Sequence, residues 1–257
     1  MVAPRLWRVG CPIVAQAHRQ CERRVINYRA HPAGLARLVG MRAVVVSLVL
    51  ALLPSCIIAK RSLEMPGTEQ TVVALFSGGL PEPMEEIARH PWFAIRKAGE
   101  QDWRVYQVGG GGVHDRDPSK VGVYVKPILH GLWVGKEGEK ARECIEVEGP
   151  KIKRHIEANY FFPGPNSNTF GDEVLRACKL SASLPSTSVG KDWRGIIGAG
   201  ITSERTGIQV ETPIIGFKIG LKEGVEVHIL HLSFGIDLWP PAIILPLGPG
   251  RIGFADR

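Results

Sequence analysis

The chain has 257 residues, with 32 basic and 25 acidic side chains and a formal net charge of +7. Residues 1–40 hold seven Arg, no Lys and one acid, Glu22, and so account for +6 of that charge. The rest of the chain is close to neutral and has no basic stripe interleaved with aromatic residues. The composition therefore argues against a nucleic-acid partner and gives no support to an acidic ligand.

An uncharged, mostly apolar run occupies residues 43–59, between Arg42 and the pair Lys60-Arg61. A basic residue, an apolar core and small residues after it are typical of a secretory signal. Because Met41 stands where such a signal should begin, we interpret residues 1–40 as an upstream extension that the mature protein lacks. The alternative is a basic cytoplasmic tail on a membrane anchor.

The apolar run closes with Leu53-Pro54-Ser55-Cys56, which resembles a bacterial lipobox and predicts lipidation of Cys56. Pro54 is an unusual residue at its position in that motif. An uncleaved anchor is the second interpretation, since a run of 17 residues is at the lower end of the roughly 17–25 that span a bilayer. A cleaved signal is the third. All three interpretations place the rest of the chain outside the cytoplasm.

Two cysteines remain beyond this segment, Cys144 and Cys178. They either form a disulfide in an oxidising compartment or are two buried free thiols. The chain has no Cys-x-x-Cys pair, and His228 and His231 would point to opposite faces of one strand. We therefore expect no metal and no cofactor.

Residues 60–70 are predicted to form a polar linker, and residues 71–257 a single globular domain. The residue patterns predict strands first, then helices, then strands again. The four-glycine run Gly109–Gly112 predicts a flexible loop. The fold class is therefore α+β, with antiparallel strands at both ends and central helices. The predicted strands are 71–76, 92–97, 103–108, 143–148, 208–210, 214–219, 225–232 and 242–247, and the predicted helices are 150–159 and 168–180.

The segment Pro163-Gly164-Pro165-Asn166-Ser167-Asn168-Thr169-Phe170 leads directly into the last predicted helix. It brings small polar side chains to a helix N-terminus, where free N–H groups and the helix dipole stabilise an anion or a nucleophile. The ordinary interpretation is helix capping, because Asn and Ser are preferred N-cap residues worth about 1 kcal/mol. The residues alone leave both interpretations open.

This segment and five further stretches resemble, in order, a group of bacterial envelope proteins known only by a domain of unknown function, “thirty-seven fifty”. The five stretches are His90–Ala94, Ser188–Trp193, Glu223–Val227, Phe234–Asp237 and Gly250–Gly253. The resemblance extends over nearly all of the exported region. It implies a membrane-anchored protein of the bacterial cell envelope and brings no established activity with it.

The segment is also similar to the Asn-Cys-Asn-His-Phe signature of circularly permuted papain-like hydrolases, in which a strand His precedes a nucleophile at a helix start. That resemblance implies a single papain-like domain with His90 and Ser167 as catalytic residues. It implies Gln107 as the group that orients the imidazole. Ser167 departs from the signature, because it stands in place of the Cys. The site therefore uses serine chemistry, or it has lost catalysis and kept its groove for binding.

The same resemblance implies a substrate groove lined by Asn166, Asn168 and Thr169. Lys191 and Asp192 would line it from a second stretch, or they form a surface ion pair instead. Three functions stay open: a hydrolase or acyltransferase acting on an amide or ester in the cell wall or in lipid, an inactive relative that binds peptide or glycan, and a structural envelope lipoprotein. All three imply the membrane as a partner.

Overall fold

The computed structural model describes residues 65–85, 88–114 and 117–253. The predicted extension 1–40, the predicted signal or anchor 41–59 with Cys56, and the first part of the predicted linker lie outside the described residues. Two antiparallel sheets and two helices make up the described part of the chain. The predicted α+β class is therefore confirmed. No helix in this part is long and apolar enough to cross a membrane.

Sheet 1 contains five antiparallel strands, β1 (Val72–Gly79), β2 (Arg89–Arg96), β3 (Trp103–Gln107), β4 (Gly110–His114) and β5 (Val125–Val134). Their order in the sheet is β4-β3-β2-β1-β5. The predicted strands 92–97 and 103–108 are present as β2 and β3, which form a hairpin with Ala94 opposite Val105. β1 is buried along its whole length, which explains its uninterrupted apolar run. Sheet 1 is therefore covered on both faces where β1 and β2 run.

The glycine run Gly109–Gly112 lies mostly inside β4 and is not the flexible loop that we predicted. Gly110–His114 pairs with β3, and Gly111 lies opposite Tyr106. Gly111 has a φ of 120°, and a Cβ there would lie 2.7 Å from the carbonyl oxygen of Val105. Glycine is required because the backbones approach closely in an edge strand.

Two helices follow β5, α1 (Lys136–Ala158) and α2 (Ser167–Ala177). In α1, Ala141, Ile145 and Gly149 are buried at intervals of four residues, which is one face of a helix. The predicted strand 143–148 is therefore wrong. The predicted helix start at Pro150 is wrong too, since that proline lies inside α1.

The helices cover one face of sheet 1. A Cβ at Gly138 would lie 2.4 Å from the carbonyl oxygen of Thr71, so α1 begins in direct contact with the backbone before β1. Of the two interpretations of the cysteines, the disulfide is present: Cys144 in α1 is bonded to Cys178, the residue that ends α2. The two helices are therefore joined covalently.

Sheet 2 contains seven antiparallel strands, β6 (Gly198–Ile201), β7 (Gly207–Glu211), β8 (Ile215–Gly220), β9 (Gly224–Ile229), β10 (Leu232–Leu238), β11 (Pro241–Ile244) and β12 (Arg251–Gly253). Each strand pairs with the next one along the chain, so the sheet is a meander with β9 at its centre. The strands predicted after residue 206 are present, except that 225–232 is divided by a turn at Leu230-His231. β6 was not among the predicted strands.

Candidate functional site

The first predicted catalytic residue, His90, lies beside Gln107 where β2 and β3 are neighbours. Nε2 of His90 and Oε1 of Gln107 are 3.0 Å apart and form a hydrogen bond. The His90 ring also stacks on Tyr124, with the ring centroids 4.2 Å apart. Burial lowers the pKa of His90 to about 4, although the bond to Gln107 raises it. His90 is therefore neutral at pH 7, and Gln107 fixes the orientation of its ring.

The helix that begins at Ser167 covers the face of β2 that carries Pro91 and Phe93. A Cβ added at Gly171 of α2 would lie 3.0 Å from Cγ of Pro91. The rings of Phe93 and Phe170 meet edge to face, with their centroids 6.4 Å apart. α2 therefore approaches β2 from this side.

His90 points to the opposite face of β2. Side chains alternate along a strand, so His90 shares its face with Trp92 rather than with the residues that contact α2. Both rings stack on the same residue, Tyr124. The structure thus puts the imidazole and the helix that carries Ser167 on different faces of β2. The catalytic roles of His90 and Ser167 stay predictions, with no contact between the two residues to support them.

Asn166, and not Ser167, is the N-cap of α2. Oδ1 of Asn166 accepts hydrogen bonds from the backbone N–H groups of Asn168 and Thr169, at 2.9 and 3.2 Å. The Thr169 hydroxyl accepts one from the backbone N–H of Asn166 at 3.0 Å, which completes a capping box. Ser167 is the first helical residue, and its hydroxyl makes no hydrogen bond within the described ranges.

The same polar residues hold the loop between α2 and β6 by its backbone. The side-chain amides of Asn166 and Asn168 donate to the carbonyl oxygen of Val189, at 3.0 and 2.9 Å. The Thr169 hydroxyl donates to the carbonyl oxygen of Gly190 at 2.7 Å. The segment 163–170 and the stretch 188–193 therefore bind each other. The predicted role of Asn166, Asn168 and Thr169 in substrate binding has no direct support, because these donors are used inside the protein.

We expect Asn166→Ala to lower the free energy of unfolding by about 1–2 kcal/mol, because it removes the cap and a bond to the loop. Ser167→Ala is the matched control and should change that free energy by less than about 0.5 kcal/mol. Urea unfolding followed by circular dichroism measures both values. Equal losses in the two variants would contradict the assignment of the cap.

Lys191 and Asp192 do not form a surface ion pair, since both side chains are buried against sheet 2. Nζ of Lys191 lies 2.5 Å from Oδ2 of Asp192, and Nζ of Lys218 in β8 lies 2.8 Å from Oδ1. The carboxylate of Glu226 in β9 is 3.7 and 3.4 Å from the same two ammonium groups. Burial raises the pKa of Asp192, but Lys191 and Lys218 outweigh it and hold that pKa well below its usual value.

His228 completes this arrangement from β9. Its Nδ1 lies 2.5 Å from Oε1 of Glu211, and its Nε2 lies 3.2 Å from Oε2 of Glu226 and 3.5 Å from Oδ2 of Asp192. Burial lowers the pKa of His228, but the three carboxylates outweigh burial and the net shift is upward. We call these six residues the charge cluster: Lys191, Asp192, Glu211, Lys218, Glu226 and His228.

With His228 protonated, the charge cluster holds three cations and three carboxylates. Buried charges are tolerated when they are paired and hydrogen-bonded, so this balance explains how all six side chains can be buried. Asp192, Glu226 and His228 also offer metal-ligand atoms within 4.8 Å of one another, although the sequence predicted no metal site. The ammonium groups of Lys191 and Lys218 contact the carboxylates of both Asp192 and Glu226, each through a different oxygen. The geometry therefore fits neutralisation by the chain's own cations.

Sheet 1 also contains a Ser–His pair, Ser77 and His130, that no sequence pattern predicted. Oγ of Ser77 and Nε2 of His130 are 2.7 Å apart, and Nε of Arg89 donates to the same hydroxyl at 3.0 Å. Ser77 is fully buried, and burial together with Arg89 lowers the pKa of His130 to about 3. Because the hydroxyl has no access to substrate and the imidazole is a weak base, the pair is structural. It lies at an irregularity in the pairing of β1 with β5, which no sequence pattern marks.

In its strands β7, β8 and β9, sheet 2 exposes apolar side chains and buries charged ones. In β9, Glu226 and His228 are buried, whereas Val225, Val227 and Ile229 are exposed. The strand register sets one aliphatic residue of each strand opposite its neighbour. The result is an aliphatic row across all seven strands, formed by Ile201, Ile208, Ile219, Val225, Ile236, Ile243 and Ile252.

The aliphatic row lies in a larger apolar surface. A second set of paired side chains runs beside it, made up of Val210, Phe217, Val227 and Phe234. The members of the row are between 38% and 61% exposed, and neither set contains a charged residue. We call the two sets together the apolar face. Monomeric proteins rarely expose contiguous apolar patches above a few hundred Å², so a surface of this kind marks a binding site.

Residues 70–193 match the model of a family described as “Protein of unknown function (DUF3750)”. The match covers sheet 1, both helices and the two mutually bound stretches, and it ends just after Lys191 and Asp192 of the charge cluster. It supports the resemblance to that family for this part of the chain, whereas sheet 2 lies beyond it. The comparison with curated proteins found no match, and neither did the comparison with solved structures.

Proposed function

We propose that the protein is a non-catalytic interaction protein of the bacterial cell envelope and that the apolar face of sheet 2 is its binding surface. The observation that carries this proposal is the aliphatic row, which leaves seven Ile and Val side chains partly in water. Removal of apolar surface from water is worth about 25 cal/mol per Å², so a partner that covers the row gains affinity without any polar contact. The proposal therefore rests on a surface and not on a catalytic group.

The charge cluster supports the proposal because it fixes the position of the apolar face. Arg194 adds to it, since its guanidinium donates to Asp172 of α2 at 2.7 Å and to Gln209 of β7 at 2.8 Å. These contacts tie the buried face of sheet 2 to a helix and to a loop. The opposite face is then presented as a rigid platform, which lowers the entropy cost of binding.

The envelope location rests on two observations. The apolar run 43–59 with Cys56 would anchor the chain in a membrane by insertion or by acylation. The disulfide between Cys144 and Cys178 supports an oxidising compartment, because such bonds rarely persist in a bacterial cytoplasm. We therefore propose a membrane-anchored protein whose described part lies outside the cytoplasm.

The test compares the full chain with Ile219→Glu, a charge placed in the aliphatic row. Native electrophoresis of gently extracted envelopes should find the wild-type chain in an assembly larger than a monomer, and the variant as a monomer. Val147→Glu is the control, since Val147 is exposed on α1, outside sheet 2, and this variant should migrate like the wild type. Monomeric migration of the wild-type chain would overturn the proposal.

A second candidate is a Ser/His hydrolase or acyltransferase of papain-like fold that acts on an amide or ester. The hydrogen bond between His90 and Gln107 is the observation that favours it, because it fixes the orientation of an imidazole. Burial makes this imidazole a weak base, and it lies on the face of β2 away from α2. A fluorophosphonate probe should then label the wild-type chain and not Ser167→Ala. Equal labelling of the two chains, or none, would remove this candidate and leave a relative that binds peptide or glycan without catalysis.

A further inference from the structure

We infer that the apolar face of sheet 2 binds the same face of a second copy of this chain. The inference rests on the proposed function and names the partner of its binding surface. Two sheets then stack face to face, about 10 Å apart, as in a β-sandwich. The partner is identified by area, by symmetry and by charge.

The area is sufficient for a stable pair. Seven strands spaced at about 4.8 Å and about five residues long give a face of about 30 Å by 17 Å, or about 500 Å². Two copies therefore bury about 1,000 Å² in total if the face is treated as flat, and projecting side chains add to this area. About 1,000 Å² is the area that a specific interface should exceed. Exposed apolar side chains in the turns at both ends of the sheet enlarge this area: Ile214, Leu221, Leu230 and Trp239.

The symmetry of the face suits self-association. A two-fold axis parallel to the central strand β9 and midway between the two sheets would place the aliphatic row of one copy across the row of the other, so that the same residues contact each other from both sides. Phe217 and Phe234 flank Val227 on the neighbouring strands and would surround that axis. An interface made only of aliphatic and aromatic side chains is typical of homodimers, which are more apolar than transient interfaces.

Charge favours a second copy over a lipid surface. Residues 198–253 contain four basic and five acidic residues, so this region has no excess of positive charge to attract anionic headgroups. Membrane-surface elements are typically rich in Lys and Arg beside their apolar face. The apolar face itself has no charge, so two copies approach each other without repulsion.

The experiment is disulfide cross-linking of the full chain in intact cells. Val227→Cys places a thiol near the proposed two-fold axis, and Val147→Cys places one on α1 as the matched control. Mild oxidation and non-reducing electrophoresis should shift the Val227→Cys chain to twice its monomer mass. The wild-type and control chains measure how much cross-linking arises from Cys11, Cys21 and Cys56. Adding Ile219→Glu to the Val227→Cys chain should abolish the shift.

The outcomes separate this inference from the proposed function. If the wild-type chain forms an assembly on native electrophoresis but Val227→Cys gives no dimer band above background, the partner is not a second copy, and the proposed binding surface still stands. If the chain is monomeric in both experiments, both the inference and the proposed function are wrong. If Val227→Cys gives no more dimer than Val147→Cys, the inference is also wrong, because random collisions between chains would explain the cross-linking.

Discussion

Replacing Asp192 by alanine is expected to lower the free energy of unfolding by about 3–5 kcal/mol, the cost of breaking a buried ion pair. The carboxylate contacts Lys191 and Lys218 at 2.5 and 2.8 Å, and all three side chains are buried. The variant leaves two ammonium groups in a low-dielectric site with fewer counter-charges. Asp192→Asn should lose most of the same free energy, because it keeps the shape and removes the charge.

Equilibrium unfolding in guanidinium chloride, followed by fluorescence, measures this effect. Glu148→Ala is the control, since Glu148 lies 2.9 Å from Lys151 in an exposed ion pair on α1. Exposed pairs are worth about 0–1 kcal/mol, so the control should differ little from the wild type. A loss for Asp192→Ala as small as that of the control would show that solvent enters the charge cluster.

The disulfide is expected to have the second large effect. Cys144→Ala with Cys178→Ala should lower the free energy of unfolding by about 3–4 kcal/mol, because the bond closes a loop between residues 34 positions apart. The constraint acts mainly on the unfolded chain, so the variant should keep its native circular dichroism spectrum. Reduction of the wild-type chain in urea should give the same loss. A loss below about 1 kcal/mol in both measurements would contradict a formed disulfide.

The strands of sheet 2 could be predicted from the sequence, but their orientation could not. Alternation in residues 224–229 indicates a strand with one polar and one apolar face. It does not indicate which face is buried, and apolar burial is the usual answer. The reverse holds here because Lys191 and Asp192, more than 30 residues earlier, supply the counter-charges of Glu226 and His228. Pairings at that separation leave no local pattern.

The errors in α1 have a local cause. Gly149-Pro150 is a strong signal for the end of an element, and it divided one helix into a predicted strand and a predicted helix. The burial of Ala141, Ile145 and Ile156 on one side of the helix outweighs the missing N–H of Pro150. Tertiary packing overrides local propensity in this case.

The start of α2 was predicted at the right place, but the roles of its polar residues depend on partners that are distant in sequence. The side-chain amides of Asn166 and Asn168 donate to the carbonyl oxygen of Val189, which is more than 20 residues further along the chain. Likewise, the face on which His90 lies follows from the register of sheet 1. The sequence marks these residues as a group without indicating what they bind.

The charge cluster has a consequence for how the chain can be divided. The family match ends at residue 193, and a fragment cut there would keep Lys191 and Asp192 but lose Lys218, Glu226 and His228. The complementary fragment would hold sheet 2 with its charged side uncovered and its other side apolar. Each fragment would expose charged side chains that are buried and paired in the whole chain. The two sheets should therefore unfold in one cooperative transition, and a truncated chain that folds has to contain both.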